Sequence, residues 1–182
     1  MRPSLHVEPE GFVAVTRHYI RDLIYGANDG VITTFAVVAG VTGGALSARA
    51  VLIVGAANLL ADGLSMGVGN YLSIRSHESA LAAENRPEEE SQPARHGMAT
   101  FLAFLLAGCM PLIPYAAGVS ADLRFAMSSA VTFATLFAVG ASRATITTIR
   151  WWSGGIEMLC LGFAVAAAAY GSGAGAAWIL NR

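Results

Sequence analysis

The sequence predicts an all-α membrane protein with five transmembrane helices per protomer, its N-terminus cytoplasmic and its C-terminus outside. Three observations carry that expectation. The chain of 182 residues is 55% hydrophobic, with a mean hydropathy of +0.56. Only 13% of its residues are charged, about half the share of an ordinary soluble domain. The apolar residues fall in five runs: Val31 to Ala48, Val51 to Ile74 with Asp62 as its sole charge, Gly97 to Ala121, Phe125 to Ser142, and Met158 to Asn181. A helix crosses a bilayer in about 20 residues. The short alternating strands of a barrel do not fit uninterrupted runs of this length.

With flanking residues the spans fall at roughly 22–42, 50–74, 97–118, 123–142 and 155–180. Residues 1–21 form a polar lead, and 22–182 form one transmembrane domain with an inner loop over 75–96. The lead has no apolar core of a cleavable signal, so the first span is expected to be retained. Arginines set the orientation. With the N-terminus inside, Arg2, Arg17, Arg21, Arg75, Arg86, Arg95, Arg143 and Arg150 lie inside, and Arg49, Arg124 and Arg182 lie outside.

The lead mixes Phe12, Val13, Val15, Tyr19 and Ile20 with Arg17, His18 and Arg21, which suits a short interfacial helix or equally a mobile tail. Span one carries Gly26-x-x-x-Gly30, which permits close helix approach, and ends at Thr42-Gly43-Gly44. Span two adds Gly63-x-x-x-Gly67 and Gly69. The inner loop holds Glu78, Glu84, Glu88, Glu89 and Glu90, with Pro87 and Pro93 interrupting any long helix. It reads as a solvated acidic loop, or as a funnel that concentrates cations at the inner mouth. Pro111 and Pro114 break span three near its outer end, where Tyr115 suits the interface. Ser128, Ser129, Thr132 and Thr135 in span four are expected to bond helix backbone. Glu157 begins span five, with Arg150 as its expected partner, and Gly171-x-x-x-Gly175 reads as a packing face.

A net charge of −1 without any lysine gives no sign of nucleic-acid binding. Cys109 and Cys160 lie at different depths and are expected to be buried, unpaired thiols. No nucleotide loop, zinc spacing or nucleophile–base pair is present, so neither an enzyme nor a resident cofactor is expected.

The polar residues inside the spans point to chemistry. Asp29 sits in span one, and Asn58, Asp62, Met66 and Asn70 recur every four residues along span two, on one helical face. An ionisable residue within a bilayer is costly and marks a functional site by default. A lone methionine or asparagine would ordinarily be packing or a helix–helix hydrogen bond; two aspartates at adjoining depths favour a pathway. At about 1.5 Å rise per residue, Asp29 falls about 10 Å and Met66 about 12 Å from the inner surface. Asp62 lies deeper, at about 18 Å. Carboxylate and amide oxygens with a softer thioether suit a divalent first-row ion, Fe²⁺ or Mn²⁺, better than Mg²⁺ or Ca²⁺. A carboxylate in that setting can exchange a proton for a metal, the physical root of antiport.

At these residues the chain resembles the vacuolar iron transporter (VIT) family, including its nodulin-like members. The matching stretches are Arg21-Asp22-Leu23-Ile24-Tyr25-Gly26-Ala27-Asn28-Asp29-Gly30, Ala61-Asp62-Gly63-Leu64-Ser65-Met66, Asn70-Tyr71-Leu72 and Pro111-Leu112-Ile113-Pro114-Tyr115. The resemblance implies a five-helix homodimer that exports Fe²⁺, often Mn²⁺, from the cytosol in exchange for protons, with Asp29 and Met66 as pathway ligands. Many members carry a glutamate where this chain has Asn58, and Asp62 restores a carboxylate one turn away. The long metal-binding domain of many relatives is reduced here to the loop over 75–96, so none of its ligands carries over. The expected partners are a divalent metal ion, protons, the lipid bilayer and a second copy. The expected membrane is a bacterial inner membrane, or a vacuolar one in a eukaryote. The reading from another class is a non-transporting scaffold whose polar stripe only holds helices together.

Overall fold

The computed structural model describes residues 3–145 and 147–181; Arg2 and Arg182 of the orientation count lie outside them. The described residues form α1 (Phe12–Gly43), α2 (Ala48–Ala83), α3 (Pro93–Gly108), α4 (Ile113–Ala116), α5 (Ala121–Ser142) and α6 (Trp151–Leu180). Five helical lengths, Phe12–Gly43, Ala48–Ala83, Pro93–Ala116, Ala121–Thr145 and Trp151–Leu180, are long and apolar enough to cross a membrane. The bundle is built around α1, which packs against α2, α3, α5 and α6. The leucines and valines that α2 turns outward, Leu60, Leu64, Val68 and Leu72, are exposed, as a lipid-facing surface requires.

Local chemistry sets the helix ends. The Ser47 hydroxyl accepts from the Ala50 N–H at 3.3 Å and caps α2, which offsets one of its free N-terminal donors. Pro93 opens α3, where its missing N–H costs nothing. Beyond Gly108 a 3₁₀ turn at Met110–Leu112 leads into α4, the break expected of Pro111 and Pro114. Ser128 Oγ steadies that break by donating to the Pro111 carbonyl at 2.6 Å. Ser129 and Thr135 bond their own helix, to Phe125 O and Val131 O. Tyr115 is buried rather than interfacial, its hydroxyl 3.2 Å from Thr42 Oγ1.

Two helices run past their expected ends. Residues 12–21 are the first turns of α1, neither a separate interfacial helix nor a tail. The second helix continues to Ala83, so the non-helical connection is residues 84–92 and not 75–96. The lead is tied back to this connection: Leu5 N–H donates to Glu88 O at 2.7 Å and Glu88 N–H to Pro3 O at 2.9 Å.

Backbone meets backbone where α1 crosses α3. A Cβ on Gly26 or Gly30 would strike the carbonyl oxygens of Thr100 and Phe104, so the first G-x-x-x-G does what its spacing promised. The last one does not. A Cβ on Gly171 or Gly175 would meet nothing within 4 Å, and it is Gly173 that abuts the Gly40 carbonyl. Two residues turn a helix by about 200°, so the packed side of α6 there is nearly opposite to the expected one. Glu157 pairs with Arg143 at 3.0 Å, while Arg150 lies over the Trp152 ring instead. Both cysteines are free, but only Cys109 is partly buried; Cys160 is exposed.

Candidate functional site

A hydrogen-bond network fixes the register between α1 and α2. Asn70 Nδ2 donates to Asp22 Oδ1 at 2.8 Å and to Thr100 Oγ1 at 2.8 Å. His96 Nδ1 lies 2.5 Å from Asp22 Oδ2. The carboxylate is 2% exposed and has a partner on each oxygen. Asp22 therefore stands opposite Asn70. Because the helices run antiparallel, seven residues onward on α1 and seven back on α2 bring Asp29 opposite Gly63, beside Asp62. Phe104 marks the same level, its backbone against Gly30 and its ring 3.1 Å from where a Gly63 Cβ would sit.

This corrects the sequence-based depth. Asp29 is level with Asp62 on the facing helix. Met66 falls one turn toward the Asp22 end, whereas helix rise alone sets it level with Asp29. The difference is three residues, because rise per residue says nothing about where two helices cross.

The five candidate residues thus separate. Asp29, Asp62 and Met66 are all half-buried on the facing sides of α1 and α2. Asn58 lies one turn beyond Asp62, and its Nδ2 is buried without a hydrogen-bond partner among the described residues. The buried Oδ1 of Asn28, which no sequence pattern singles out, is likewise unpartnered there. Asn70 belongs elsewhere, its amide nitrogen engaged by Asp22 and Thr100.

A second polar group gathers at the end of the bundle that holds residues 84–92. Glu78, on the extension of α2, is 8% exposed. Its Oε1 accepts the N–H groups of Glu89 at 3.0 Å and Glu90 at 2.7 Å. The acidic connection is therefore folded down, not solvated along its length. Glu90 Oε2 lies 3.0 Å from His96 Nε2, and His6 and His18 each approach Glu90 at 3.3 Å. Partial burial pushes the Glu90 carboxyl up, but the Gln92 N–H together with His96 and His6 outweighs it and holds the group below the usual glutamate value. A cavity of about 490 Å³ opens beside it, lined by Arg21, His77, Glu78, Glu89, Glu90 and His96 among others.

Sequence reasoning missed Asp22, His96, Glu90, His6 and His18 as partners. A signal existed for two of them. Asp22 lies seven residues before Asp29, and His18 four before Asp22, so both share its helical face. His6 and Glu90 are brought in by contacts between segments far apart in sequence.

Five membrane-crossing lengths around a buried seam of carboxylates and amides define a multi-pass helical membrane protein. The family model described as the VIT family matches residues 20–92 and 82–174. The chain belongs to that family. It is 28% identical over 200 residues to the vacuolar iron transporter of Toxoplasma gondii, covering 74% of this chain and 66% of that protein. It is 32% identical over 137 residues to vacuolar iron transporter homolog 5 of Oryza sativa subsp. japonica, covering 70% and 66%. With vacuolar iron transporter 1 of Arabidopsis thaliana the identity is 35% over 95 residues, 47% of this chain and 38% of that one. The chain thus spans just under two thirds of the length of the first two relatives.

Proposed function

We propose that this chain carries a divalent first-row metal ion, Fe²⁺ or Mn²⁺, across the membrane and out of the cytosol in exchange for protons. The observation that carries the reading is that Asp29 and Asp62, from two helices, fall at one level of the α1–α2 seam. Two carboxylates in apolar surroundings require positive charge beside them. One divalent ion supplies it, and so do protons, which lets the two cargoes alternate. The Met66 thioether, one turn away, adds a softer sulfur donor to the two carboxylates. The relatives' designation as vacuolar iron transporters supports the same cargo class, and no catalytic reaction is proposed.

A homodimer belongs to the proposal. Along α2, Ala57, Ala61, Ser65 and Gly69 are all exposed, a small-residue side on which a second copy can lie close and cover the seam. Export is read as delivery to the periplasm from a bacterial inner membrane, or into the vacuole of a eukaryote.

The test is flux in proteoliposomes with Fe²⁺ or Mn²⁺ under an imposed pH gradient. Metal movement that follows the gradient, and that Asp29→Ala or Asp62→Ala abolishes, is the expected outcome. Wild-type rates in both variants would remove the site, and indifference to the gradient would remove the proton coupling. The scaffold reading draws on the Asn70–Asp22–Thr100 hydrogen bonds, which do tie helices together. It predicts no metal flux at all.

A further inference from the structure

We propose that His6, His18 and Glu90 form a second divalent-metal site at the end of the bundle, distinct from the Asp29–Asp62 level. The three come from separate segments: the N-terminal lead, the first turns of α1, and the 84–92 connection. One ligand atom of each lies within 4.8 Å of the others. His6 Nδ1 is 3.3 Å from Glu90 Oε1, and His18 Nε2 is 3.3 Å from Glu90 Oε2.

What singles out a metal is the unused bonding capacity. The His6 side chain is only 7% exposed. His18 Nε2, the nitrogen turned to Glu90, is buried and makes no hydrogen bond among the described residues despite that distance. A buried imidazole nitrogen left unpaired costs about 1–3 kcal/mol. A metal ion removes that cost by taking up lone pairs. Two imidazoles and one carboxylate suit Fe²⁺, Mn²⁺, Co²⁺ or Zn²⁺ and leave positions open for water; Mg²⁺ and Ca²⁺ prefer an all-oxygen shell.

The surroundings are built to hold the carboxylate. His96 Nε2 sits 3.0 Å from Glu90 Oε2, and Glu78 grips the Glu89 and Glu90 N–H groups, which orients the ligand as partners of metal ligands commonly do. From Glu90 a continuous chain of contacts runs through His96 and Asp22 to Asn70 on the polar stripe of α2. The site stands on its own geometry, whether or not the Asp29–Asp62 level carries metal.

Two measurements on the full chain in lipid nanodiscs test it. Co²⁺ titration followed by visible absorption is expected to show imidazole-bound Co²⁺. The doubly substituted His6→Ala, His18→Ala protein loses one bound ion per chain and that spectrum, whereas His77→Ala, at an exposed histidine outside both sites, keeps both. Unchanged stoichiometry and spectrum in the double variant overturn the proposal. The unaltered protein supplies the second test, by mapping diethylpyrocarbonate labelling of histidines. With Co²⁺ at about ten times its Kd, labelling of His18, with a side chain 24% exposed, falls about tenfold, while that of His77, with a side chain 58% exposed, does not change. Equal labelling of His18 with and without Co²⁺ overturns the proposal without recourse to a variant.

Discussion

Two levels of the α1–α2 seam, two helical turns apart, use similar residues to opposite ends. At the first, Asp22 meets Asn70 and His96, and each carboxylate oxygen has a partner. At the second, Asp29 lies level with Asp62, and one turn beyond it the buried Asn58 Nδ2 has no partner among the described residues. Buried polar groups are ordinarily satisfied. A satisfied level fixes the fold, whereas two carboxylates at one level in apolar surroundings call for a cation. The same residue types thus divide into framework and site by their partners, not by their identity.

That contrast can be broken most sharply at Asp22. Asp22→Ala leaves His96 and Asn70 without their buried partner, and breaking such a pair is expected to cost about 3–5 kcal/mol. Detergent-solubilised protein should then melt at a clearly lower temperature, while the molecules that remain folded still move metal. Asp29→Ala and Asp62→Ala should do the reverse. Metal flux falls at least about 100-fold, the upper end of what disturbing even a ligand's supporting partners costs, with little change in melting temperature. A melt at Asp29→Ala as severe as at Asp22→Ala would erase the distinction between the two levels.

Met66→Leu keeps the packing volume and removes the thioether. It is expected to weaken Fe²⁺ transport by about tenfold or less while leaving the fold intact, since such swaps usually cost under about 1.5 kcal/mol in stability. Competition between Fe²⁺ and Ca²⁺ in liposomes reads the effect, and an unchanged preference would leave Met66 as packing alone. Smallest of all is Arg143→Ala. It removes an ion pair to an exposed Glu157, outside the seam, and should change stability by less than about 1 kcal/mol and transport not at all.

The helices were legible in the sequence because a charge-free run of about 20 residues has few other stable homes. The break in span three was legible for a similar reason, since Pro111 and Pro114 lack the donor a helix needs. The candidate site was legible as a stripe but not as a pairing. Spacing along α2 could not say that Asn70 turns to Asp22, nor that Asp29 meets Asp62 ahead of Met66, because both depend on where two helices cross. The histidines were hardest to read. His6 and Glu90 carry no periodicity, and only the folding of the lead onto residues 84–92 brings them together.

The glycine contacts carry a consequence for movement. Carbonyl oxygens lie against glycines where α1 meets α3, α1 meets α6, α2 meets α3 and α5 meets α6, at Gly30, Gly43, Gly67 and Gly140. No glycine of the described residues makes such a contact between α1 and α2. The bundle is therefore riveted along four of its joints, while the α1–α2 joint is merely latched, by side chains that can rotate without shifting a helix axis. A passing ion would have to turn aside rotamers there, with no need to pry one backbone from another, and rotamers move on a timescale far shorter than helices do.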